Sequence, residues 1–173
     1  GRPCMGSRAK RSGVCCNGLH CAHILYPVKI LVVSPGKPHD DTVKDGIREY
    51  EKRLSAWPIE WAHPKAGDKN TEGAAILKLL KDGDRIVLLD EGGRDTDTPA
   101  FAGILDKHLQ SGTKRLVFII GGAFGVSSEV AERANVSIKL SSLVFPHMLV
   151  RLILAEQLYR ANSILSGGKY HHA

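Results

Sequence analysis

With 173 residues, 43% of them hydrophobic and 24% charged, the chain is the size of one soluble domain able to bury a sizeable core. Its longest apolar helical stretch, Met148 to Leu158, is too short to span a bilayer and carries Arg151 and Glu156, which argues against a membrane-spanning protein. The net charge of +6 does not by itself indicate nucleic acid. Six of the 24 basic residues (Arg2, Arg8, Lys10, Arg11, Lys29, Lys37) precede residue 40 with no acid among them, leaving 18 to balance the 18 acidic residues. RNA binding by the body of the chain therefore has to come from a local basic patch, an assembled groove or shape.

Residues 1–26 carry all four cysteines (Cys4, Cys15, Cys16, Cys21) and no hydrophobic periodicity. The cysteine spacing matches neither a paired CxxC zinc site nor a disulfide framework with a core to staple. A basic, Ser-containing, acid-free leader without an apolar h-region reads as a removable or disordered extension of the transit-peptide kind. The expectation is import into a plastid or mitochondrion, with the cytoplasm as the alternative, and a single folded domain over residues 27–173. A chain that opens Gly1-Arg2 without Met is expected to be a fragment or a trimmed form.

From Val28 to Val33 the sequence is strand-like, and Ser34-Pro35-Gly36-Lys37-Pro38 breaks it into a loop. Asp40 or Asp41 caps a helix through about Leu54, with Val43, Ile47, Tyr50 and Leu54 on one apolar face. Trp57 to Trp61 reads as a second strand, and Pro58 marks it as an edge. A loop over 62–70 leads to a helix over Thr71–Leu80, closed by Asp82-Gly83. Arg85 to Asp90 is a third strand, followed by the turn Glu91-Gly92-Gly93-Arg94-Asp95 and a helix from Thr98-Pro99 to about Gln110. Strand and helix alternate with no internal repeat, which predicts one open parallel α/β sheet with helices on both faces.

Two turns in the last third organise the rest. The apolar run Arg115 to Ile120 reads as a fully buried strand, ends at Gly121-Gly122-Ala123-Phe124-Gly125 and hands over to a helix start at Ser127-Ser128-Glu129. A short strand from Ser137 runs into Leu140-Ser141-Ser142-Leu143-Val144-Phe145, after which Pro146 opens a helix from His147 to Leu165. At the carboxyl ends of two neighbouring parallel strands these turns lie side by side, where open α/β sheets bind ligands. The glycines are not a dinucleotide fingerprint, because Ala123 stands where GxGxxG needs glycine. Gly36-Lys37 lacks the preceding glycine and the Ser or Thr of a P-loop. A tight strand-to-helix turn without a ligand is the alternative reading of the glycines.

The titratable residues form no nucleophilic triad. His147 stands at a helix start, where the dipole disfavours imidazolium. Arg160 follows Glu156 by four residues, which on its own is a helical ion pair worth roughly 0.2–0.5 kcal/mol. Tyr170-His171-His172 follows Ser166-Gly167-Gly168 and on its own is a frayed tail. Two adjacent histidines do not make a metal site, so none is expected.

Taken in order, Ile120-Gly121-Gly122-Ala123-Phe124-Gly125, Leu140 to His147, Arg151, Glu156 to Arg160 and Tyr170-His171 resemble the ribosomal RNA large subunit methyltransferase H (RlmH) family. The likeness is strongest from Arg85 onward and does not cover the leader. It implies a SPOUT methyltransferase whose C-terminal part is tied in a trefoil knot, working as a homodimer with S-adenosyl-L-methionine. Members methylate N3 of a pseudouridine in the helix 69 loop of 23S ribosomal RNA, so the implied partner is ribosomal RNA within the ribosome or large subunit. The implied cofactor pocket comprises Leu89, Gly121 and Leu140, Ser141, Ser142, Leu143, Val144 and Phe145. Ala123 departs from the proline of many members, and the Ser34 to Lys37 loop is longer than their usual Gly-Lys turn.

Methyl transfer from a sulfonium is an in-line displacement that depends mainly on alignment and exclusion of water, so a nucleophilic side chain is unnecessary. The acceptor imide nitrogen must lose its proton. Arg160 suits stabilisation of the imidate, His171 suits uptake of the proton, and Tyr170 suits stacking on the base. The resemblance points to the same three residues. The helix from Met148 to Leu158 is richer in Leu, Ile and Val than one buried face requires, which also predicts a homodimer. The competing expectations are a non-catalytic ribosome- or RNA-docking module that retains the fold, and a small-molecule enzyme on a flavodoxin-like sheet.

Overall fold

The fold is described here from a computed structural model over residues 28–122 and 125–168. The leader, Ala123, Phe124 and the tail from Lys169, with Tyr170 and His171, lie outside the described residues. In chain order the elements are β1 (Lys29–Val33), α1 (Asp41–Arg53), β2 (Ile59–Ala62), α2 (Lys69–Leu77), β3 (Arg85–Asp95), α3 (Thr98–Gln110), β4 (Arg115–Ile120), α4 (Ser128–Arg133), β5 (Val136–Lys139) and α5 (His147–Leu165). The strands pair in parallel in the order β2-β1-β4-β3-β5.

Uninterrupted apolar runs make the inner strands because both sheet faces are covered. Ile30 and Val32 of β1, Val87 and Leu89 of β3, and Leu116, Phe118 and Ile120 of β4 point to one side, where they meet Leu54, Phe101 and Leu105, with Leu154 and Leu158 of α5. The alternate residues Leu31, Val33, Ile86, Leu88, Val117 and Ile119 point to the other, against Ile76 of α2 and Val130 of α4. The expected open sheet with helices on both faces is thus what forms. On the first face α5 lies between α1 and α3. Gly46 permits the α1 approach, since a Cβ there would come within 2.9 Å of Leu152 Cδ1.

Element ends follow their caps. Asp40 accepts from the Val43 amide at 3.0 Å and starts α1, while Asp68 accepts from Asn70 and Thr71. The second cap moves the start of α2 from the expected Thr71 to Lys69. The helix also stops early, because the Leu79 and Leu80 amides turn back to the carbonyls of Ile76 and Leu77 and tighten the last turn. Trp57 belongs to no strand. Its amide bonds the Leu54 carbonyl at 2.9 Å, its side chain is buried, and β2 starts at Ile59 on the edge that Pro58 indicated.

Two further expectations need correction. The strands that end at the two turns are not neighbours, because β3 pairs with β4 on one side and β5 on the other. Nor does β3 end at Asp90: residues 90–93 bulge out, and pairing resumes with Arg94 against Ile138 and Asp95 against Lys139. Gly93 makes this possible, since a Cβ there would fall 2.5 Å from the Ile138 carbonyl carbon. Lys139 and Asp95 close the re-paired end with an ion pair at 3.0 Å.

Candidate active site

At the carboxyl ends of β4, β3 and β5 lies a cleft of about 560 Å³, within the ~300–1,000 Å³ typical of small-molecule sites. Its floor is Leu89 and Ile120. One wall is Gly121, Gly122 and Gly125. The other is Lys139, Leu140, Ser141, Leu143, Val144 and Phe145, and His147 and Val150 close it from α5. The bulge in β3 delivers Asp90 and Glu91 to the rim. Asp90 accepts from the Gly92 amide at 2.8 Å, which fixes the bulge.

The glycine turn is tight. Gly125 has φ +74, a left-handed conformation that glycine adopts without strain, and its amide donates to the Gly122 carbonyl at 3.0 Å. A Cβ on Gly121 would sit 3.2 Å from both the Gly125 carbonyl carbon and Val126 Cγ1, so the two limbs of the turn leave no room for a branched side chain. A Cβ on Gly122 would fall 2.1 Å from Oε2 of the buried Glu72. Across the cleft, the Leu143 amide donates to Ser141 Oγ at 2.9 Å and shapes the loop. Leu143 and Val144 are 71% and 73% exposed, an apolar lip standing in solvent.

Of the residues expected to hold the cofactor, Leu89, Gly121, Leu140, Ser141, Leu143, Val144 and Phe145 line the cleft together, and Ser142 is exposed and does not. The cleft also contains Asp90, Glu91, Ile120, Gly122, Gly125, Lys139, His147 and Val150, which were not assigned to it from sequence. Asp90 and Glu91 had a signal: an acidic pair at the end of an apolar strand, immediately before Gly92-Gly93.

Arg160 is placed differently. It lies ten residues beyond Val150 on α5, about 15 Å along the axis at 1.5 Å per residue, and does not line the cleft. Its Nε and Nη2 donate to Glu156 Oε1 at 2.9 and 2.5 Å. Glu156 Oε2 accepts from Gln157 Nε2 at 2.6 Å, and Gln157 Oε1 accepts from Thr98 Oγ1 at 3.0 Å. Thr98 and Gln157 line a second cavity of about 250 Å³, which meets the first at Lys139 and Leu140.

Below the cleft, Arg151 is 2% exposed. Its Nε donates to Ser34 Oγ at 2.8 Å, and its Nη2 to the carbonyls of Pro35 and Gly36 at 2.8 and 2.7 Å. Burial lowers its pKa. Burial also lowers that of His63, whose Nδ1 is 3.2 Å from the Ser34 carbonyl oxygen; that hydrogen bond opposes the shift and the charge of Arg151 adds to it. Among the described residues no cluster of His, Cys, Asp and Glu could hold a metal ion, and no helix is long and apolar enough to cross a membrane.

A family described as "Predicted SPOUT methyltransferase" matches residues 28–171. A ribosomal RNA large subunit methyltransferase H from Trichlorobacter lovleyi is 39% identical over 153 residues, covering 84% of this chain and 100% of that protein. A protein of the same name from Bacteroides thetaiotaomicron is 48% identical over 104 residues, covering 60% of this chain and 66% of that protein. Among solved structures, a probable methyltransferase from Bordetella pertussis Tohama I superposes with a TM-score of 0.52 at 13% identity, over 78% of this chain and 96% of that one. That last likeness is one of fold alone.

Proposed function

The chain belongs to the SPOUT methyltransferases, in the RlmH family, and we propose on that footing that it methylates large-subunit ribosomal RNA at N3 of a pseudouridine in the helix 69 loop. The observation that carries this reading is the cleft itself, in which Leu89, Gly121, Leu140 and the Leu143–Phe145 loop converge from three strand ends.

SPOUT methyltransferases use S-adenosyl-L-methionine, and the residues present suit it. Leu89, Ile120, Leu140, Phe145 and Val150 supply apolar surface for a purine ring. Asp90 and Glu91 supply acceptors for ribose hydroxyls or an ammonium group, and Gly121 and Gly122 allow close backbone approach. When bound, the cofactor supplies a methyl group activated on a sulfonium. The chain's own contribution is alignment and exclusion of water, with Leu143 and Val144 as the lip that closes over the ligand.

The acceptor nitrogen loses a proton before or during transfer. We assign Arg160 to stabilise the resulting imidate, His171 to take the proton and Tyr170 to stack on the base. Since Arg160 lies about 15 Å along α5 from Val150 and does not line its own cleft, it acts in this reading on the cleft of a second copy in a homodimer. The trefoil knot of the C-terminal part is a component of the same proposal.

The test is incubation with labelled S-adenosyl-L-methionine and large subunits or ribosomes lacking the modification, followed by mass spectrometry of the RNA. A methyl group on N3 of a helix 69 pseudouridine is the expected result. Labelling at another nucleotide would retain a methyltransferase and overturn the target. No labelling of any RNA would favour the docking module.

A further inference from the structure

We propose that the loops following β1 and β2 form a basic shelf beside the cleft that binds the phosphate backbone of the RNA substrate, an inference that rests on the ribosomal RNA reading above. The two loops are one surface. The Ser34 amide donates to the Ala62 carbonyl at 3.0 Å, the Gly36 amide to the Pro64 carbonyl at 2.9 Å, and His63 Nδ1 reaches the Ser34 carbonyl. Lys37 and Lys65 stand exposed on it, and Lys69 opens α2 at its border. Among the described residues none of these lysines is in an ion pair, whereas Lys44 and Arg48 on α1 are neutralised by Asp41 and Asp45. The acids that flank the loops, Asp40 and Asp68, accept from the first amides of α1 and α2.

The shelf is anchored to α5, which closes the cleft, and to the glycine wall. On one side the Arg151 guanidinium binds Ser34, Pro35 and Gly36 from below, one helical turn after His147, which lines the cleft. On the other side Glu72 Oε1 accepts from the Gly67 amide at 2.9 Å, and its second oxygen abuts Gly122. No carboxylate among the described residues pairs with Arg151, so its charge adds to that of the lysines above it. Residues 40–173 are formally neutral, so Lys37, Lys65 and Lys69 make a local positive surface beside the cleft and are not part of a uniformly basic one. Other lysines, such as Lys81 and Lys114, precede β3 and β4 at the opposite, amino end of the strands, among Asp82 and Asp84. Phosphates flanking a target nucleotide in the cleft would fall on the shelf, and their counterions would be released on binding.

The experiment measures binding of a fluorescent RNA hairpin with a pseudouridine in its loop, by anisotropy across a series of salt concentrations. It compares the parent, Lys37→Gln/Lys65→Gln and, as a control, Lys81→Gln/Lys114→Gln. For the shelf variant the slope of log Kd against log salt should fall by about 1.5, and affinity at ~0.1 M salt at least about tenfold, as expected for two lost phosphate contacts. S-adenosyl-L-methionine affinity should stay at the parental value, and the control should match the parent in every respect. A parental slope in the shelf variant, an equal loss in the control, or no RNA binding by the parent would overturn the shelf. Methylation of large subunits by the parent is measured alongside. Methylation with a parental slope in the shelf variant removes the shelf and leaves the function, whereas the expected loss of slope without methylation leaves the shelf and removes the methyl-transfer reading.

Discussion

Nε of Arg151 donates to Oγ of Ser34 at 2.8 Å, across 117 positions of sequence. With the Pro35 and Gly36 carbonyls this makes three charge-assisted hydrogen bonds from one buried guanidinium, and they fix the loop after β1 to the start of α5. Arg151→Met should therefore lower stability by about 2–4 kcal/mol, the lost bonds outweighing the relief of desolvation. Arg151→Lys should fall between, since an ammonium cannot reach all three acceptors as the planar fork does. Urea unfolding of the three proteins checks this. A Met variant as stable as the parent would mean that burying the charge cancels its bonds.

That contact also marks the limit of what could be read from the residues. The strands at residues 29–33, 85–89 and 115–120 were legible because a parallel strand covered on both faces needs no polar residue, so the apolar run itself is the signal. The turn at Gly121 and the loop from Leu140 were legible as a ligand-sized place because strand ends in such sheets form one, whereas Leu89 and the individual loop residues came from the resemblance, and Ser142 among them does not line the cleft. Sheet order was not legible: nothing local in Val136 to Lys139 says that it pairs with β3 and not β4. The bulge at residues 90–93 was missed because Gly92-Gly93 reads as a turn, and only the close passage of Gly93 over Ile138 shows why glycine is needed there. Arg151 was visible as a charge interrupting an apolar helix and as part of the family's pattern, but its partners were not, since its acceptors are carbonyls and a hydroxyl brought in by the fold.

Acid stability should hinge on Asp84 and Arg115. Asp84 has a side chain only 4% exposed and is gripped by Arg115 through both oxygens, at 2.8 and 2.5 Å. Burial alone would raise its pKa, but the Arg115 hydrogen bonds, the Lys81 amide and the charges of both residues together hold it below the ordinary 3.8. A folded pKa below the unfolded one gives stability that is fully present above the unfolded value and lost as pH falls through the folded value. Asp84→Asn should thus cost about 3 kcal/mol at neutral pH, with the difference from the parent shrinking below about pH 4. Thermal unfolding between pH 2 and 7 tests it, and a difference that does not change with pH would contradict the assignment.

The two glycines at the head of the turn should fail in different ways. Gly121→Val places branched carbons where the opposite limb stands 3.2 Å away, so the turn opens into the cleft. S-adenosyl-L-methionine affinity should drop at least about tenfold, with the core of the sheet intact. Gly122→Ala instead drives a methyl group into Glu72, whose carboxylate must then release the Gly67 amide. It should destabilise the protein by about 1–3 kcal/mol by overpacking a buried site. Calorimetric titration and unfolding, run on both variants, separate the two. Parental affinity in a folded Gly121→Val protein would show that the glycine serves the turn alone.

The position of Arg160 gives the sharpest test of how the site is assembled. It does not line the cleft of its own chain, and it is bonded to Glu156, which Gln157 and through it Thr98 hold in place. If Arg160 and the tail residues Tyr170 and His171 complete the cleft of a partner copy, the two functions separate between chains. Arg160→Ala should reduce turnover on ribosomal substrate by at least about 10²-fold while leaving cofactor affinity near the parental value. Deletion of residues 169–173 should do the same, and the two changes together should be less than additive because they serve one acceptor. Co-expressing Arg160→Ala with Gly121→Val under different tags, and isolating the mixed dimer, then pairs an intact cleft with an intact Arg160 from the other chain. Such a dimer should recover about half the parental activity, since one of its two sites is whole. A mixed dimer as inactive as its parents, or a fully active monomer by light scattering, would place the complete site within one chain and remove the role assigned to Arg160 across the interface.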